Sequence, residues 1–187
     1  MPVAAPRSLT MTPDEYVAWE ATQLERHEYH DGEVFPVPGG SPEHAELIIL
    51  VAVALHDAVR GTECTVRSEA MRVGVSDDRY VYPDLTVTCG AIETRRNDRT
   101  TLLNPTLIVE VLPPSTRSYD LGETFELYRA MPSVHEVLFV DSERRRAEVA
   151  RRASHGWTLA EPATGGTLRL ESVGATLDLD ALYAGRA

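Results

Sequence analysis

The sequence predicts one α/β domain: a mixed β-sheet flanked by helices, ending in a C-terminal β-meander. Three observations predict it. The hydrophobic period switches from helical spacing to strand alternation along the chain. Residues 106–112 form an almost continuous apolar run, as expected of a central strand. The end of the chain breaks into short β-prone pieces separated by turn residues. With 187 residues the chain is long enough to bury a core as one domain. No repeat, linker or second core divides it, so the domain is read as 1–187 with its core at about 10–185.

The elements follow in order. Residues 12–21 open with Thr-Pro-Asp-Glu, a capping residue, a proline suited to the first helical position and acids in the first turn, and start a helix. Residues 27–37 carry Asp31-Gly32 between β-prone pieces and read as a hairpin or bent strand. Ser41-Pro42-Glu43-His44 begins a second helix, with Leu47, Ile48, Val51, Leu55 and Val59 at helical spacing and Gly61 ending it. Residues 65–75 give one or two strands, 80–89 a β-rich run, and 90–104, polar and arginine-rich, a surface loop. The strand 106–112 is interrupted only by Glu110 and terminated by Pro113 and Pro114. A helix follows over 120–131 with Leu121, Phe125, Leu127 and Tyr128 on one stripe, then an apolar strand over 134–140. Pieces at 147–152, 156–160 and 168–170 form the meander, and 178–183 is a short final helix.

Composition narrows the function. The formal net charge is −11, so the surface as a whole does not attract a polyphosphate as a basic domain does. All 18 basic residues are arginine; a mechanism that needs an ammonium group is excluded. No apolar run reaches the roughly 18 residues of a membrane span, and the first ten residues lack the apolar core of a secretory signal. A soluble, cytoplasmic protein is expected, with Cys64 and Cys89 as buried free thiols. There is no nucleophile-elbow signature, P-loop or dinucleotide-binding glycine pattern.

Glu110 starts the functional reading. It is an acid inside Leu107-Ile108-Val109-Glu110-Val111-Leu112, apolar on both faces, where a lone carboxylate loses solvation or takes up a proton. Asp84 has a similar setting ahead of Leu85-Thr86-Val87-Thr88-Cys89. If the two strands pair antiparallel, Asp84 and Glu110 converge at one end of the sheet. A hard dication with oxygen ligands would offset the burial of both charges. Otherwise each acid caps a strand end or pairs with an arginine, and Arg72, Arg117 and Arg129 are the candidates for Glu110.

A longer pattern accompanies the pair. Tyr82-Pro83-Asp84 before a strand, then Pro105 and Glu110-Val111-Leu112 with Pro114-Ser115-Thr116, resembles the PD-(D/E)XK nuclease superfamily. Tyr29-His30-Asp31-Gly32-Glu33, His44, Met71-Arg72-Val73, Tyr119-Asp120, Glu123, Phe125, Leu127-Tyr128 and Val140-Asp141 extend the match. Over nearly the whole chain it resembles the Uma2 group of restriction-endonuclease-like proteins. The resemblance implies a restriction-endonuclease-like core, a four-stranded mixed sheet between helices, and Mg²⁺- or Mn²⁺-dependent hydrolysis of DNA phosphodiesters. It makes Asp84, Glu110 and the Val111 carbonyl metal ligands and Glu28 a further acid near the site. His44 is either a group behind the ligands or facing phosphate, or a helix-start histidine. The lysine of the pattern falls on Leu112, or in the Uma2 arrangement on Thr124. Its absence sets an alternative beside the nuclease: a catalytically degenerate nuclease fold used for binding or assembly. A purely structural network of acids and arginines is the third reading.

Arg72, Arg117 and Arg129 are the candidate nucleic-acid contacts. The run Arg144-Arg145-Arg146 with Arg151 and Arg152 either meets phosphates or is a solvated strand edge, and Arg95, Arg96 and Arg99 stand similarly. His27 and His30 read as surface histidines that point apart on a strand. By analogy with nucleases that cut both strands, a homodimer is expected, with the apolar C-terminal third as its interface.

Overall fold

The computed structural model describes residues 9–112 and 117–186, with side chains at 117–121 and 123 left out. The terminating prolines Pro113 and Pro114, Ser115-Thr116 and the side chain of Arg117 therefore lie outside the described residues. Helix α1 (Pro13–Glu20) forms where expected. Thr12 and Glu15 close a capping box, each side chain bonding the other's backbone N–H. Strands β1 (His27–His30) and β2 (Glu33–Pro36) make an antiparallel hairpin. Its turn needs left-handed backbone at both central positions, and Asp31 (φ 50°) and Gly32 (φ 99°) supply it. Helix α2 (Pro42–Ala58) is capped by Ser41, whose hydroxyl accepts from the His44 N–H.

The chain then weaves two sheets. Strand β3 (Cys64–Ser68) belongs to the first, β4 (Arg72–Ser76) and β5 (Arg79–Val81) to the second, and β6 (Leu85–Cys89) returns to the first. The expected single run over 80–89 is thus cut at residues 82–84, where the chain crosses between sheets. Residues 90–104, expected as a loop, form the hairpin β7 (Thr94–Arg95) and β8 (Asp98–Leu102) with Asn97 left-handed at its turn. What overrides the polar composition is Arg72: its guanidinium, 3% exposed, is held by Thr101 Oγ1 and Asp98 Oδ2, both at 2.9 Å.

Strand β9 (Leu107–Leu112) is followed by α3 (Arg117–Arg129), β10 (Glu136–Asp141), β11 (Ala147–Ala153), β12 (Gly156–Leu159), β13 (Thr167–Leu170), a 3₁₀ turn (Glu171–Val173), β14 (Ala175–Asp178) and α4 (Leu179–Leu182). The first sheet has the order β12-β11-β10-β9-β6-β3; β9 and β10 are parallel, linked through α3, and the other pairs are antiparallel. The second has the order β2-β1-β5-β4-β8-β7 and is also mixed, with β4 and β8 parallel. The expected meander divides: β11 and β12 widen the first sheet, whereas β13 and β14 form a separate hairpin.

The layers bury three apolar clusters. One face of the first sheet packs on α2, the β13–β14 hairpin and α4 through Leu47, Val51, Leu55, Val109, Leu170 and Leu177. Its other face meets the second sheet and α3 through Val73, Val81, Leu102, Ile108, Tyr128 and Phe139. Behind the second sheet, Tyr16 of α1 stacks on Tyr29, their centroids 4.9 Å apart, and packs with Tyr80. Leu168, Leu170, Val173, Leu177, Leu179 and Leu182 of the C-terminal third, the region expected as an interface, are buried in the core, while Leu159 is exposed. Arg186 holds that end against α2, bonding Glu46 at 2.7 Å, the Glu43 carbonyl at 2.8 Å and the Ser142 carbonyl.

The free-thiol reading is corrected. Cys64 and Cys89 face each other across the β3–β6 pair, with Cα atoms 3.9 Å apart, and are joined in a disulfide. Sequence spacing carries no register, so the 25-residue separation hides a direct cross-strand pair. No helix among the described residues is long and apolar enough to cross a membrane.

Candidate metal centre

The antiparallel register Leu85↔Val109 sets the residue before β6 against the end of β9. Asp84 and Glu110 therefore converge, as the strand reading expects. Residue parity puts them on the face opposite Val87, Val109 and Val111, toward the second sheet and α3. Asp84 Oδ2 accepts the Val111 N–H at 2.7 Å and lies 3.3 Å from His44 Nε2. Among the described residues both of these contacts fall on the same oxygen. Glu110 Oε1 accepts from the Tyr128 hydroxyl at 2.5 Å. Burial pushes the Glu110 carboxyl well above the usual range, and the charges of Asp84 and Glu28 add to the shift against the Tyr128 bond. The Tyr128 hydroxyl is itself pushed up, first by burial and then by Glu110.

Glu28 comes to this cluster from β1. Its Oε1 accepts the Tyr82 N–H at 3.2 Å, and its Oε2 lies 3.2 Å from His30 Nε2. The cluster is therefore built from both sheets, with Asp84 and Glu110 on one and Glu28 on the other. His44 is raised above the ordinary imidazole value: the hydrogen bond to Asp84 outweighs the opposing burial, and the Asp84 charge, the Val111 backbone and Glu69 add to it. Of the two readings of His44, the contact with Asp84 favours a group behind the acids.

Other expected residues stand elsewhere. Arg72 is not available to nucleic acid: it is buried against Asp98 and Thr101 with the Tyr16 and Tyr80 rings 5.0 and 5.6 Å away. Arg129 pairs with Glu126 at 2.9 Å. Neither arginine meets Glu110, whose partners among the described residues are the Tyr128 hydroxyl and the Asp84 backbone. Leu112, one of the two lysine positions, is 9% exposed in the layer between the sheets. Thr124, the other, is partly buried one turn before Tyr128 on the same helix face. Arg151 and Arg152 are held internally, Arg151 by Glu136 and Arg152 by the Val134 and Met131 carbonyls. His27 and His30 are partly buried rather than surface groups, each 3.2 Å from a carboxylate, of Glu20 and Glu28. Sequence reasoning placed Tyr128 in a helical stripe and in the Leu127-Tyr128 stretch of the Uma2 resemblance, without a role; that Glu110 needs a buried donor was the signal that could have found it.

Among the described residues no three His, Cys, Asp or Glu side chains gather closely enough to hold an ion by themselves. Two carboxylates still fit a small hard cation, since Mg²⁺ commonly keeps waters and takes one or two carboxylates plus substrate phosphate. The donor set is oxygen, and Glu110 is a buried acid whose side-chain donor among the described residues is the Tyr128 hydroxyl.

The family model for Uma2, described as "Putative restriction endonuclease", matches residues 13–181. The chain belongs to the Uma2 family. Its relatives include two uncharacterized proteins of Synechocystis. Slr1290 is 31% identical over 179 residues, covering 95% of this chain and 93% of its own. Sll1609 is 29% identical over 153 residues, covering 81% and 86%. Among solved structures, a nuclease of the DUF820 group from Anabaena variabilis, described as putative, has the same fold with a TM-score of 0.71 and 16% identity. It covers 93% of this chain and 98% of that one. The Uma2 fold accounts for the mixed core of β3, β6, β9 and β10, with α2 on one face and α3 on the other.

Proposed function

We propose that this Uma2 protein is a divalent-metal-dependent endonuclease that hydrolyses DNA phosphodiesters, with Asp84, Glu110 and the Val111 carbonyl holding Mg²⁺ or Mn²⁺. The observation that carries the reading is Glu110, a carboxylate buried beside Asp84 and Glu28 with a tyrosine hydroxyl as its recorded side-chain donor. Such an arrangement costs stability unless a cation completes it. Held by these residues, Mg²⁺ or Mn²⁺ would supply a ligated water of lowered pKa and positive charge against the phosphate. The protein's own groups hold the geometry: the Val111 N–H fixes Asp84, Tyr128 fixes Glu110, and Glu28 fixes the 82–84 crossing through the Tyr82 N–H. His44, 3.3 Å from Asp84 and raised above its ordinary value by that hydrogen bond, is the candidate for the group that stands in for the superfamily's lysine. A guanidinium cannot act as a base, so no arginine replaces that lysine in proton transfer.

The replacement of lysine by Thr124 and Leu112 favours a second reading, a fold that binds metal or DNA without cutting. Thermal unfolding with and without Mn²⁺ and Mg²⁺, on wild type and Asp84→Asn, decides the metal reading. At a hundredfold excess over Kd a bound ion adds about 2.7 kcal/mol, a rise of about 5 to 10 °C for a chain of this size. The rise should vanish in Asp84→Asn. Equal melting in every condition would overturn the metal centre. A rise without cleavage of single- or double-stranded DNA would leave the binding module standing. A cytoplasmic homodimer, which would offer one site to each DNA strand, is part of the same proposal, and sedimentation measures the mass.

A further inference from the structure

A cleft of about 770 Å³ opens between the end of α1 and the β4–β8 region of the second sheet, and Tyr82 is the lining residue that joins it to the Asp84 segment. Its wall nearest the acids is Tyr82, two residues before Asp84. The Tyr82 N–H is held by Glu28 at 3.2 Å and its hydroxyl donates to Glu20 at 3.0 Å. Arg26 lines the cleft beside Tyr82. Its guanidinium is 5.9 Å from the Tyr82 ring centroid and 3.4 Å from Glu69, whose charge reaches His44.

The charges of this wall are unevenly satisfied. Glu20 is held by Tyr82 and His27, Asp98 by Arg72, and Asp14 by Arg95, while Glu25 is a fourth acid of the lining. Arg26 shares only a long, half-exposed contact with Glu69, the kind of surface pair that exchanges at little cost. Arg99 is exposed at the cleft and has no carboxylate within bonding distance among the described residues. Two cations and an aromatic ring are thus available in one cleft, the ring two residues along the chain from Asp84. The volume falls in the range of small-ligand sites and suits a single nucleotide unit.

We propose that this cleft binds the nucleotide flanking the reacting phosphate in a single-stranded stretch of nucleic acid, with Arg26 and Arg99 on phosphate oxygens and the Tyr82 ring against a base. The proposal rests on the nuclease reading of the neighbouring acids and names where its substrate lies. Aromatic rings and arginines along a groove are how single strands are held without sequence preference. In a chain of net charge −11 such a local pair engages few phosphates, so binding is weak and only mildly salt-dependent.

Fluorescence anisotropy of a labelled single strand of about 12 nucleotides, in EDTA so that metal-dependent cleavage is silent, tests it. Arg26→Gln and Arg99→Gln should each weaken binding about five- to tenfold. Each should also lower the slope of log K against log salt by about 0.7, the contribution of one single-strand phosphate contact. Tyr82→Leu should weaken binding at least fivefold with the slope unchanged, and Tyr82→Phe, which keeps the ring, should bind as wild type. Unchanged affinity in both arginine variants and Tyr82→Leu would overturn the cleft. So would a wild type that shows the Mn²⁺-dependent rise in melting yet binds no strand. Strand binding that follows these variants in a protein with no Mn²⁺ response would support the cleft and overturn the metal centre instead.

Discussion

At neutral pH Glu110 works against the fold. Its carboxyl is buried beside two others, and burial with the charge of Asp84 holds its pKa well above the usual value. A raised acid contributes stability that is fully present below its ordinary pKa and is lost as pH rises through the folded-state value. Glu110→Gln keeps an acceptor for Tyr128 and removes the charge. It should leave stability unchanged near pH 4 and raise that of the metal-free protein by about 1 kcal/mol at pH 8, the usual gain from relieving a strained site. Urea unfolding across that range measures it; a pH-independent difference would mean that Glu110 is not strained. The variant should also lose any Mn²⁺ response. This residue was legible in the sequence because an acid in an apolar strand contradicts its surroundings. Tyr128 was not, since a tyrosine at helical spacing looks like any core residue until its hydroxyl is seen on Glu110.

Among the elements, long-range pairing separates what could be read from what could not. Local signals gave α1 with its capping box, the β1–β2 hairpin with its Asp31-Gly32 turn, and α2 from Ser41. The β7–β8 hairpin was hidden because its stability comes from Arg72, 26 residues before Asp98. The Cys64–Cys89 link was hidden for the same reason: only the β3–β6 register brings the two together. That link closes a loop of 25 residues holding β4 and β5. Replacing both cysteines by alanine should therefore cost about 3 kcal/mol by the loop-entropy relation, measured by urea unfolding against the oxidised protein. Equal stability would show that the link is not formed in the folded chain.

For the whole molecule, the apolar layer between the sheets aligns the acids. Leu102, fully buried, packs there with Ile108, whereas Leu170, equally buried, packs on the far side of the first sheet. Leu102→Ala and Leu170→Ala should each cost about 2 to 5 kcal/mol. Only Leu102→Ala should also weaken Mn²⁺ binding, several-fold by calorimetry, because it alone loosens the sheet that carries Glu28. Equal affinity in the two variants would show that the acids do not depend on this seam. Fold class and a mixed sheet were visible from apolar runs alone. That the sheets number two, with the site at their junction, was not, because residues 82–84 look like the middle of one strand.

The Arg186 anchor has a practical consequence for anyone handling the protein. It grips the first turn of α2 at Glu43 and Glu46, on either side of the histidine that leans on Asp84. A purification tag or fusion partner joined directly after Arg186 sits against this grip and pulls on the helix that positions His44.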